Sequence, residues 1–170
     1  AKEGFDAYGL DLSKEALVLG KEMLDSWKSK ANLKQGSFTK MPYEDFSFDV
    51  VIDVLAMSCT DHKSYLKGID EIYRVLKKGG LFFSYTPSQN SDSFKDYKPA
   101  VKIDEWTLSG LFRESGFGAG NHYPFHFWDK DGLEQTLKDK KFKINLLESL
   151  TRSYSNGTEV FESYLFHAQK

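Results

Sequence analysis

A single cysteine and four prolines stand in 170 residues. The lone Cys59 excludes an internal disulfide, and no cysteine or histidine set has metal-ligand spacing. A cytoplasmic, reducing setting without a metal centre is therefore expected. No apolar run approaches the roughly 20 residues that a membrane-spanning helix needs, so no membrane contact is expected. Charge of one sign is also scarce. The 23 basic and 25 acidic residues give a net charge of −2. The densest basic block, KDKKFK at Lys138–Lys143, reads as a solvated helix end rather than a nucleic-acid patch. Glycine is present but not clustered: the only adjacent pair is Gly79-Gly80.

Hydrophobic residues make up 40% and aromatic residues 15% of the chain, enough for a packed core. The length implies one domain over 1–170. The first half alternates strand and helix signals. Phe5–Leu10 reads as a strand. Ser13 then caps a helix carrying Ala16, Leu17, Leu19, Met23, Leu24 and Trp27. Asn32–Phe38 is a second strand. Phe48–Val54 is a third, apolar enough to be buried on both faces. Tyr65–Leu76 has helical spacing, with Lys77-Lys78 favourable at its end and Gly79-Gly80 as its stop. Leu81–Thr86 is the next strand. Such alternation builds βαβ units around a parallel sheet, with ligands at the strand tips.

The second half reads differently. Ser88–Tyr97 is polar and reads as a mobile loop, and Ile103–Trp128 is rich in aromatics. Asp131–Lys140 suits a helix. Ile144–Tyr154 and Thr158–Ala168 flank Asn156-Gly157, a strong hairpin signal.

The candidate site residues follow from position. Asp11, Ser37, Asp53 and Val54 fall at carboxyl tips. An acid such as Asp11, after the second strand of a nucleotide-binding sheet, can accept hydrogen bonds from ribose hydroxyls. Asp53 fits either a cofactor contact or a salt bridge. Asp61 reads as a helix cap and Cys59 as a small buried thiol. His122, Tyr123 and His126 in NHYPFHFW are candidates for a catalytic base or a substrate pocket, against an aromatic packing cluster.

In their order, FDAYGLDLS, FDVVIDV and RVLKKGGLFF resemble the class I S-adenosylmethionine-dependent methyltransferases of the small-molecule, type 11-like kind. The resemblance is clearest over Gly4–Thr86. It implies a Rossmann-like α/β fold, mostly parallel, with helices on both faces and a C-terminal antiparallel hairpin. It also implies S-adenosylmethionine as cofactor, a small-molecule methyl acceptor, and an acceptor-binding insertion at about 88–128. Leu12 would pack beside the adenine. In GSFTKMPY, Ser37 stands where the family has an acid, with the Phe38 backbone beside it.

The family's glycine-rich loop and first, central strand have no counterpart here. The chain is therefore expected to be N-terminally incomplete, inactive alone and prone to self-association. A nicotinamide-dependent oxidoreductase and a non-catalytic methyltransferase-like binding module are the alternatives. An acid after the second strand serves a nicotinamide cofactor equally well, but the hairpin and the GSFTKMPY loop argue against it.

Overall fold

The computed structural model describes residues 1–112 and 123–170. The chain separates into two compact units, Ala1–Tyr43 and Glu44–Lys170.

In the first unit, strand β1 (Tyr8–Asp11) leads into helix α1 (Lys14–Ser26) and then strand β2 (Asn32–Gln35). β1 and β2 pair in parallel, with Tyr8 opposite Asn32 and Asp11 opposite Gln35. Ser13 caps α1, its Oγ accepting from the Ala16 amide at 3.1 Å. Leu33 Cδ2 lies over Gly9, 2.8 Å from where a Cβ would stand, so a larger residue there would push that side chain aside. Both strands are shorter than the sequence pattern suggests. No residue of α1 is buried, and Val18, Leu19, Met23 and Trp27 stay exposed. Two short strands and one helix are too little to form a core of their own.

The second unit is built on a four-stranded sheet. Its strands are β3 (Phe48–Val54), β4 (Leu76–Pro87), β8 (Lys143–Tyr154) and β9 (Glu159–Gln169), in the order β3-β4-β9-β8. β3 and β4 are parallel, joined by helix α2 (His62–Val75). β9 runs antiparallel to both of its neighbours, so the last two strands form the expected hairpin. Asn156 and Gly157, at φ 57° and 86°, make its turn. These are left-handed values that asparagine and glycine accept most readily.

The core lies between α2 and this sheet. Tyr65, Ile69, Ile72 and Val75 of α2 are buried at helical spacing, over Leu76, Phe82 and Phe166. Phe82 and Phe166 meet edge to face at 5.2 Å. Helix α4 (Lys130–Asp139) adds Leu133 and Leu137. A short helix α3 (Asp92–Lys95) precedes a three-stranded sheet of β5 (Val101–Lys102), β6 (Thr107–Ser109) and β7 (Phe125–His126), with β7 at its edge. This sheet closes over a second cluster of Ala100, Leu108, Leu111, Phe125 and Phe127.

Four expectations need correction. α2 ends at Val75, not at the glycine pair, because Leu76 is already extended and paired with Phe48. Lys77 is thus a strand residue, in an ion pair with Asp49 at 2.9 Å. β3 is not buried on both faces: Val50, Ile52 and Val54 are exposed while Asp53 is buried. Cys59 is exposed rather than buried. Finally, Ser88–Ser91 is tied to β9 rather than free. Ser88 Oγ and Asn90 Nδ2 donate to the Glu162 carboxylate at 2.8 and 2.7 Å, and Ser91 Oγ donates to the Glu162 carbonyl at 2.8 Å. Among the described residues, no helix is long and apolar enough to cross a membrane.

Candidate functional site

In the first unit, the tip of β1 presents a carboxylate held on one side only. Asp11 Oδ1 accepts from the Ser13 amide at 2.8 Å. Oδ2 has no partner among the described residues, and the side chain is exposed. The main chain around it is fixed. The Gly36 amide donates to the Asp11 carbonyl at 2.9 Å, and Gln35 Nε2 donates to the Leu12 carbonyl at 2.9 Å. Leu12 places an exposed apolar side chain next to the acid. A carboxylate with one open oxygen beside an apolar surface suits a ribose diol and the base attached to it. Ser37 is engaged within its own loop: its Oγ pairs with Thr39 Oγ1 at 2.8 Å and accepts from the Thr39 amide at 3.1 Å. Phe38 sits at the bend of this loop, half-buried.

In the second unit, the tips of β3 and β4 hold a buried polar network. Asp53 Oδ1 accepts from the Met57 amide at 3.1 Å and Oδ2 from Ser84 Oγ at 3.1 Å. Val54, the next residue, is exposed. Thr86 Oγ1 gathers Ser58 Oγ at 3.2 Å and the Tyr65 hydroxyl at 3.3 Å. Burial pushes the Asp53 carboxyl above the usual carboxylate range, against the opposing effect of its donors.

That shift has a checkable consequence. Above its ordinary pKa of about 4, the unfolded carboxyl has lost a proton that the folded one still holds. Stability then falls as pH rises from there through the folded value. Asp53→Asn keeps an acceptor for Met57 and should flatten this slope. Denaturant titrations of both proteins across about pH 4 to 7 measure the difference. An equal slope in both would exclude Asp53 as its source.

Next to this network lies a histidine pair. His62, the first residue of α2, brings Nδ1 to 2.9 Å from Nε2 of His126 in β7. Asp61 caps the helix, accepting from the Ser64 amide at 2.8 Å. Trp106 stacks on His62 at 4.0 Å and 20°. Trp128 and Tyr65 meet His126 at 4.6 and 4.7 Å and each other at 5.3 Å. His126 is fully buried, and its amide donates to the Ser58 carbonyl at 2.8 Å. Burial and the neighbouring His62 hold its pKa well below the usual histidine value. Burial also lowers that of His62, while Asp104, Glu105 and Asp61 oppose the shift.

Of the two base candidates among the described residues, His126 enters this cluster and Tyr123 does not. Tyr123 is exposed, and His122 lies outside the described residues. The sequence reading missed the partnership with His62. The one available signal was a histidine directly after a capping acid past a strand tip. Among the described residues, no group of three or more histidine, cysteine or acidic side chains could hold a metal ion.

Comparison with known proteins bears on the family and the fold. The family described as "Methyltransferase domain" matches residues 1–84. A demethylmenaquinone methyltransferase of Staphylococcus haemolyticus is 32% identical over 167 residues, covering 95% of this chain and 66% of that protein. An uncharacterized Haemophilus influenzae protein is 27% identical over 120 residues, covering 64% of this chain and 48% of that one. The chain thus spans about half to two thirds of the length of these relatives. Among solved structures, a SAM-dependent methyltransferase from Methanosarcina mazei superposes with a TM-score of 0.79 at 22% identity. It covers 99% of this chain and 84% of that one, a likeness in fold.

Proposed function

We propose that this chain, which belongs to the class I S-adenosylmethionine-dependent methyltransferases, transfers a methyl group to a small-molecule acceptor. When bound, the cofactor supplies a methyl carbon that its sulfonium already makes electrophilic. The protein's part is to bind, to orient and to exclude water. We read 1–170 as one methyltransferase domain whose insertion at 88–128 borders the acceptor.

The observation that carries this reading is the half-open carboxylate of Asp11. Its fixed oxygen sets the side chain, and its free oxygen accepts from the cofactor ribose, with Leu12 against the adenine. Ser37 shapes the adenine loop, and the Phe38 backbone faces the base. Asp53 and Val54 stand at the tip where the methionine portion would lie; Asp53 orders the turn after β3 through Met57. The antiparallel β8–β9 hairpin favours this reading over a nicotinamide oxidoreductase. By the name of its Staphylococcus haemolyticus relative, a demethylated menaquinone in its reduced form is a reasonable first acceptor to try.

Asp11→Ala in the intact protein should weaken S-adenosylhomocysteine binding by about 1–3 kcal/mol, the range for a hydrogen bond to a charged group. Calorimetric titration measures it, and an unchanged dissociation constant would remove Asp11 from the site. Titration of the unmodified protein with NAD in parallel separates the readings. Binding of neither ligand would favour a non-catalytic module.

A further inference from the structure

We infer that His62 takes the proton released by the methyl acceptor, and that His126 is the positioning residue behind it. The inference rests on the methyl-transfer reading above and adds the acceptor's chemical class.

Only one ring of the pair can meet a ligand. His126 is fully buried, its amide is bonded to Ser58, and it is paired across β7–β6 with Thr107. His62 is half-buried, and its Nε2 has no partner among the described residues. Its ring is held in two independent ways, by His126 at Nδ1 and by the face of Trp106. A histidine serving only as packing would gain nothing from an open Nε2 beside so fixed a ring.

The hydrogen bond also limits which nitrogen can accept. A lone pair on His62 Nε2 requires the proton on Nδ1, donated to His126 Nε2. His126 then carries its own proton on Nδ1, a buried atom without a partner. Once Nε2 has taken a proton, His62 must be donating from Nδ1 as well, so capture from this tautomer needs no rearrangement. The new positive charge remains on His62. There it faces Asp61 of its own cap, Asp104 and Glu105 from the segment before β6, and the Trp106 ring. On His126 it would face only His62 and apolar rings, where burial opposes it. Burial lowers the His62 pKa, so the ring is neutral, and ready to accept, near neutral pH.

The acceptor is thus one whose nucleophilic atom carries a proton that must leave: a hydroxyl or an activated C–H, rather than a tertiary amine or a thioether. Its bond to hydrogen breaks, and the proton moves to Nε2. The electron pair stays on the acceptor atom and forms the bond to the methyl carbon, while the carbon–sulfur bond breaks and its pair goes to sulfur, leaving neutral S-adenosylhomocysteine. The imidazolium then returns its proton to solvent.

Ring-nitrogen NMR of the intact protein tests the tautomer directly. The expected spectrum has His62 protonated at Nδ1 and bare at Nε2, titrating below the usual histidine value, with His126 neutral throughout. A proton on Nε2 of His62 would overturn the inference. His62→Asn keeps an N–H donor toward His126 but has no base. With demethylmenaquinol as probe acceptor, its kcat should fall about 100-fold, the low end for general-base catalysis, with S-adenosylhomocysteine affinity unchanged. Unchanged kcat would also overturn it.

His126→Gln retains an acceptor near the Nε2 position and should keep most of the rate. His126→Phe lacks one and should lose about tenfold, with the acid limb of the pH profile displaced. Equal rates in these two variants would argue against the positioning role. If the intact protein does not bind S-adenosylhomocysteine, the methyl-transfer reading falls and takes this one with it. Binding together with the wrong tautomer sinks this one alone.

Discussion

Trp128→Ala is expected to destabilise the 44–170 unit by about 3–5 kcal/mol, the usual cost of truncating a large buried aromatic side chain. Trp128 is fully buried. Its ring meets Tyr65 edge to face at 5.3 Å, His126 at 4.6 Å and His62 at 5.4 Å. Its main chain also joins two segments: its amide donates to the Pro87 carbonyl at 2.9 Å, and its carbonyl accepts from the Gln89 amide at 2.8 Å. The backbone bonds survive the substitution, so the loss should come from the ring. The cavity would open directly behind the histidine pair, leaving His126 free to leave its hydrogen bond with His62. Denaturant unfolding should show a lower midpoint with an unchanged slope. Trp128→Phe refills much of the space and should cost less than half as much. Equal losses in the two variants would mean that ring volume is not what holds this cluster.

The distribution of successes along the chain has a physical cause. The hairpin was legible because its signal is local: two apolar runs meet at Asn156-Gly157, whose left-handed angles favour those residue types. α2 was legible from the helical spacing of its apolar residues Leu66, Ile69 and Ile72, but its end was not. Leu76 leaves the helix to pair with Phe48, a contact 28 positions back that outweighs the local stop at Gly79-Gly80. The histidine pair spans 64 positions. NHYPFHFW showed a basic side chain among aromatics, and a separate Asp61-His62 showed a cap. Nothing in either segment specifies that they meet. The position of Asp11 at the tip of β1 was legible because the strand–acid–cap order is contiguous.

The polar stretch after β4 shows the same limit and supplies the sharpest remaining test. Serines and an asparagine in a row suggest solvation, yet Ser88, Ser91 and Ser93 are buried. The Ser88 and Ser91 hydroxyls and the Asn90 side-chain amide donate to Glu162, more than 70 positions away, while the buried Ser93 hydroxyl has no partner among the described residues. Glu162→Ala removes an acceptor shared by Ser88 Oγ and Asn90 Nδ2. Each hydrogen bond to a charged group is worth about 1.5–3 kcal/mol, less what solvent restores at the exposed Asn90, so a total of about 2–4 kcal/mol is expected. The loss should be local first. Ser91 Oγ still bonds the Glu162 main chain, donating to its carbonyl at 2.8 Å and accepting from its amide at 3.0 Å. Amide exchange should therefore accelerate most at Ser88 and Gln89, while the amides within the β8–β9 hairpin remain protected. Glu162→Gln keeps the one oxygen that accepts from both donors, without its charge, and should lose about 1 kcal/mol, without the local acceleration. If Glu162→Ala leaves exchange at 88–91 unchanged, the segment is held by its backbone bonds to Glu162 and Trp128, and the carboxylate contributes little.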